Sequence, residues 1–229
     1  MTTKTATAPS MPTRSRRRAR ISPPAAAGIA FAVAWVTSLA IWPSNLDVAA
    51  SGAKVVSAYA GHQGVEIPQY LLAEGLAAIA LAMVVIALGR AARNRGATRL
   101  GRVAMVAGIG AAIVSLIECV LGLLLAGAAV PDGQTVRAGV LFHLVNRMDG
   151  AKMLAFAAMA FAGVGLVRRG GLGPRWLGYT AALLAMAMIA SGVGWLLLNN
   201  TLAQAAAVSL PLLLIWVVGT GVTLGRTSR

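Results

Sequence analysis

Six apolar runs dominate the sequence, at about residues 24–42, 69–89, 103–130, 139–167, 180–198 and 209–224. At 1.5 Å per helical residue, a run of about 20 residues crosses the roughly 30 Å hydrocarbon layer of a membrane. No water satisfies backbone N–H and C=O groups in that layer, so such runs fold as helices that pair their own. The expected fold is therefore all-α, a polytopic six-helix transmembrane bundle. Composition agrees, since 58% of the 229 residues are hydrophobic and 11% are charged. A mean hydropathy of +0.77 lies outside the soluble range.

The charges sort by side. Arg90, Arg93, Arg95, Arg99 and Arg102 separate the second and third runs, Arg168, Arg169 and Arg175 separate the fourth and fifth, and Arg226 and Arg229 follow the last. Together with Lys4, Arg14, Arg16, Arg17, Arg18 and Arg20, they place 16 of the 20 basic residues and no acid on one side. The other side holds Lys54 and Arg137 against Asp47, Glu66 and Asp132. The positive-inside rule then puts both termini in the cytoplasm, and the excess of Arg over Lys among abundant Ala, Gly, Val and Leu fits a GC-rich bacterial genome, so the membrane expected is a bacterial plasma membrane. The net charge of +14 reads as a topogenic surface facing anionic lipid headgroups, and nucleic acid is not an expected partner.

Residues 1–23, basic, acid-free and rich in Thr, Ser and Pro, are expected to be a disordered cytoplasmic arm, with residues 24–226 forming the membrane domain and 227–229 a short tail. Ser15-Arg16-Arg17 resembles part of an export signal, with Val48-Ala49-Ala50 as a small-residue cleavage site. The run at 24–42 exceeds a signal core of about 7–15 residues and is read as an uncleaved first helix. Trp42, Tyr70 and Trp195 fall at outer helix ends, Trp176 and Tyr179 at an inner one, as interfacial aromatics do. In the first outer segment Val55, Val56 and Tyr59 recur at helical spacing ahead of Gly61, so a short capping helix is expected there. Gly108-Ile109-Gly110, Gly163-Val164-Gly165 and Gly192-Val193-Gly194 mark faces for close helix approach.

The stretch from Leu141 to Met153 is where the apolar chain becomes crowded with polar groups: His143, Asn146, Arg147, Asp149 and Lys152. Ionisable groups entering a membrane are costly and mark functional sites by default. Glu74, Glu118 and Lys152 each lie 15 residues from the inner end of their run, about 22 Å above the inner boundary. Three consecutive helices thus bring two carboxylates and an ammonium to one level. His143, Asn146, Arg147 and Gly150 share a stripe of the fourth helix, while His62 and Glu66 wait in the outer segment. Setting Glu74, Glu118 and Asp149 against Arg147 and Lys152 leaves one surplus carboxylate, able to take up a proton in a medium of low dielectric. Helix-locking ion pairs are the plainer account of the same residues.

No Gly-x-Ser-x-Gly, Walker or His-Glu-x-x-His motif occurs, and no catalytic residue is assigned. His62, His143, Glu74 and Glu118 form a conceivable metal set, and the two histidines a conceivable haem pair, but the spacing supports neither; no metal or cofactor is expected. Cys119 is the lone cysteine, which excludes an internal disulfide or a multi-thiolate centre.

Three segments together, Tyr59-Ala60-Gly61-His62-Gln63-Gly64, the helix from Phe142 to Met153, and Arg175-Trp176-Leu177-Gly178-Tyr179, resemble small multi-pass membrane proteins of actinobacteria whose function is unknown. The resemblance implies a six-helix plasma-membrane bundle and nothing about catalysis. The expected role is non-enzymatic: binding or translocation of a small solute, ion or proton at an outward-facing polar centre. The alternatives are an accessory or regulatory subunit holding a membrane protein partner around a structural charge cluster, and a membrane-embedded metal-dependent enzyme.

Overall fold

A computed structural model describes residues 21–41 and 46–227. Most of the basic arm, the boundary residue Trp42 and the last two residues of the tail lie outside the described residues. Those described are mostly helical, with short turns between the helices and no strand among them. In chain order the elements are α1 Pro23–Ile41, α2 Gly52–Tyr59, α3 Gln63–Tyr70, a π-helical segment Leu71–Leu76, α4 Ala77–Asn94 and α5 Thr98–Leu124. A second π-helical segment, Leu125–Ala129, precedes α6 Thr135–Gly170, α7 Arg175–Leu196, α8 Asn200–Ala203 and α9 Ala206–Thr227.

Six helical stretches are long and apolar enough to cross a membrane: Pro23–Ile41, Gln63–Asn94, Thr98–Ala129, Thr135–Gly170, Arg175–Leu196 and Asn200–Arg226. The protein is thus an all-helical, multi-pass membrane protein. Most spans run past the apolar stretches, because a helix pairs its backbone equally well in water. Arg90, Arg93, Arg99, Arg102, Arg168 and Arg169 accordingly continue their helices. The second span starts at Gln63, inside what reads as an outer loop, and α9 starts at Ala206. Helix ends carry local causes: Pro23 and Pro24 open α1, and Gly171 closes α6 in the left-handed region with φ 57.

The spans pack as a closed ring in which each touches the next: α1 on α4, α4 on α5, α5 on α6, α6 on α7, α7 on α9, and α9 back on α1. Without a hydrophobic drive between helices in lipid, small residues that let backbones approach supply the packing. Ala77, Ala104, Ala111, Ala160, Ala181 and Ala185 are fully or almost fully buried around Phe31, Met159, Met188 and Trp216. Ile79, Met83, Val106, Val120, Leu183, Met186 and Ile215 stay exposed on the rim, where acyl chains replace protein. The glycine faces are spent internally: Gly108 meets Val85, Gly163 meets Trp216, and Gly192 meets the backbone of Gly150.

One end of the ring carries the arginines of residues 90–102, 168–175 and 226. At the other, α2 packs against α6, and the approach is so close that a Cβ on Gly52 would fall 1.8 Å from the Thr135 carbonyl oxygen. Val55 and Tyr59 are the buried residues of α2, and Gly61 follows with φ +79.

Candidate functional site

Local backbone irregularity positions the first site residue. Pro68 sits inside α3 and lacks the N–H that a regular helix would use. The chain then widens into the π-helical turn 71–76, which carries Glu74. Such wide turns recur at functional sites because they turn side chains off the regular helical face. Gly75 in the same turn faces Cys119, and Gly122 faces the Tyr70 ring, so this turn lies flush on α5. Glu118 is on that part of α5, and Asp149 and Lys152 stand three apart on α6, hence on one face of it.

The four side chains converge. Lys152 Nζ donates to Glu74 Oε2 at 2.7 Å, to Asp149 Oδ1 at 2.6 Å and to Glu118 Oε2. An ammonium has three N–H donors, and each has an acid to itself. The Lys152 and Glu118 side chains are 1% exposed, that of Glu74 8% and that of Asp149 20%, so exposure rises toward Asp149. Glu118 Oε1 is buried with no hydrogen-bond partner among the described residues. The Trp35 ring of α1 lies 6.0 Å from the ammonium, at the edge of cation–π range.

Arg147 is exposed and adds nothing to this group. Three carboxylates therefore face one ammonium, and the surplus of one negative charge counted with Arg147 included becomes two. Ligand oxygens of Glu74, Glu118 and Asp149 lie within 4.8 Å of one another. At that separation each pair of ionised groups would repel by about 3.5 kcal/mol at an effective dielectric of 20. The Lys152 ammonium, in contact with all three acids, offsets this repulsion, but the group keeps a net charge of two negatives in a region of low dielectric, which favours an additional positive charge or proton.

The remaining polar residues of α6 do another job. His143 Nε2 donates to the Ala50 carbonyl oxygen at 3.0 Å, and Asn146 Nδ2 donates to that of Val48 at 2.9 Å. They hold the segment before α2 against α6. His62, at the N-cap of α3, is exposed, so neither histidine joins the acids and the mixed His/Glu metal set is not assembled. A trio of carboxylates is a chemically reasonable cation site, but the Lys152 ammonium already donates to all three, and an incoming metal would have to displace it. Glu66 is fully buried, and neither carboxylate oxygen has a hydrogen-bond partner among the described residues.

Beside the acids lies a cavity of about 270 Å³. Glu74 and Asp149 line its inner part, Trp35, Tyr59, Tyr70 and Trp195 its walls. It reaches Leu39 near the end of α1 and Ala206 at the start of α9, both at the end of the ring away from the arginines. Tyr59 and Tyr70 hydrogen-bond through their side chains, while the buried Trp195 Nε1 has no acceptor among the described residues. Sequence reasoning missed the aromatic wall, because Tyr70 and Trp195 also satisfy the pattern of interfacial anchors. It missed the π-helical turn because nothing beyond Pro68 signals it.

Compared with protein-family models, with curated proteins and with solved structures, the chain matches none.

Proposed function

We propose that this protein is a non-enzymatic plasma-membrane protein that binds, and passes, a small cationic species at an outward-facing polar centre. The observation that carries this reading is the charge of the buried group: three carboxylates around one ammonium, set beside a cavity. A surplus of negative charge in a low-dielectric region attracts a cation or a proton.

Orientation follows from the arginines. With the arginine-rich end in the cytoplasm, as the positive-inside rule requires, the cavity opens outward and both termini are cytoplasmic. The same arginines then meet anionic headgroups of the inner leaflet. The α2 helix acts as a cap, pinned by His143 and Asn146 beside the cavity.

The test is proton uptake by proteoliposomes carrying an internal pH dye under an imposed inside-negative potential. Wild type takes up protons, and Glu118→Gln lowers the rate at least about tenfold while its thermal unfolding stays within a few degrees of wild type. Equal rates in wild type, variant and empty liposomes overturn the proton version, and the same liposomes are then assayed for solute binding.

A second reading has its own observation. All three ammonium donors are engaged, as in a lock that fastens the Glu74 turn, α5 and α6. On that reading the protein is an accessory subunit, Glu118→Gln loses the fold, and wild-type liposomes are silent.

A further inference from the structure

We infer that the cavity beside the acids takes a small organic ammonium ion on a flat apolar body; this rests on the cation-binding reading above and names its ligand class. Charge comes first. Lys152 engages one oxygen of Glu74 and one of Asp149, Oε2 and Oδ1, leaving Glu74 Oε1 and Asp149 Oδ2 outside its ion pairs. Both residues line the cavity, and Asp149 is the most exposed of the four charged side chains. A positive ligand group placed there meets the carboxylate oxygens that Lys152 leaves unengaged, and the net charge of the group, three acids against one ammonium, remains negative toward it.

The walls decide what kind of cation. Trp35, Tyr59, Tyr70 and Trp195 present aromatic surface, which attracts an ammonium or a ring but offers no coordination sphere to a hard metal ion seeking six or more oxygens. A volume of about 270 Å³ is near the lower edge of small-molecule pockets of about 300–1,000 Å³. A proton alone has no use for such room. Amine at the acids and ring between the aromatics together define an arylalkylamine.

The experiment uses the full chain in nanodiscs and follows tryptophan fluorescence, since Trp35 and Trp195 line the cavity. The probes are tyramine, phenethylamine, the uncharged 2-(4-hydroxyphenyl)ethanol and sodium chloride. Tyramine is expected to quench saturably, with the uncharged alcohol at least about tenfold weaker, because it leaves the carboxylates without a charge partner. Asp149→Asn weakens tyramine to a similar degree. Equal binding of tyramine and the alcohol, or no saturable binding of any amine, overturns the inference. Proton uptake by proteoliposomes made from the same protein separates the two levels: uptake that persists without amine binding sinks only the organic cation, and loss of both sinks the underlying reading as well.

Discussion

Lys152 reaches Glu74 across 78 positions of sequence, with 2.7 Å between ammonium and carboxylate oxygen and both side chains buried. Removing a single partner from such a buried set is worse than removing both, because the survivor is left charged in a medium that cannot solvate it. Lys152→Met leaves three acids facing one another and should lower stability by about 3–5 kcal/mol. The triple variant Lys152→Met, Glu74→Gln, Glu118→Gln should recover most of that loss. Unfolding in mixed detergent micelles measures both, and a triple variant no more stable than the single one would show that charge imbalance is not what the lysine relieves.

Gly122 is the point where the Tyr70 ring lies on α5; a Cβ there would fall 2.2 Å from the ring edge. Gly122→Ala must push Tyr70, and with it the start of the π-helical turn that carries Glu74, away from α5. Overpacking of this kind costs about 1–3 kcal/mol. The displacement should also weaken the Glu74–Lys152 pair, so the double variant Gly122→Ala, Glu74→Gln should lose less than the two single losses added together. Strict additivity in that cycle would mean the tyrosine and the acid are mechanically independent.

Much of the fold was legible because hydrocarbon thickness and backbone pairing leave few choices to a chain with six apolar runs. The contact of Glu74, Glu118 and Lys152 was foreshadowed by counting residues from the inner helix ends, since a straight helix converts residue number into depth. Azimuth was not foreshadowed. Arg147 shares a helical stripe with His143, Asn146 and Gly150 in projection yet is exposed where Asn146 and Gly150 are buried, so it drops out of the charge count. Whether a residue at the margin of a stripe turns inward depends on where the neighbouring helix stands, and one sequence does not record that. The ring closure of α1 on α9 and the aromatic-walled cavity are tertiary facts of the same sort.

Asn146 and His143 fasten the segment before α2 through the carbonyls of Val48 and Ala50. Asn146→Leu removes the donor to Val48, a buried residue, and leaves its carbonyl unpaired at a cost of about 1–3 kcal/mol. Hydrogen exchange should rise across residues 46–60 and remain unchanged in the middle of α5 and α6. Uniform exchange along the whole chain would show instead that this segment does not open as a local unit.

Glu66 sets the last expectation. Its side chain is fully buried and both oxygens lack hydrogen-bond partners among the described residues, a position that an ionised carboxylate could occupy only at a penalty of several kcal/mol. Glu66→Gln keeps the shape and carries no charge, so it should leave stability unchanged near neutral pH, or raise it. Glu66→Ala leaves a small cavity between α3 and its neighbours α1 and α5 and should lower stability by about 1–3 kcal/mol. Chemical unfolding of the three proteins side by side supplies the check. A Gln variant as unstable as the Ala variant would mean that the carboxylate is ionised and partnered in the folded protein, and that the packing around α3 differs from the arrangement described.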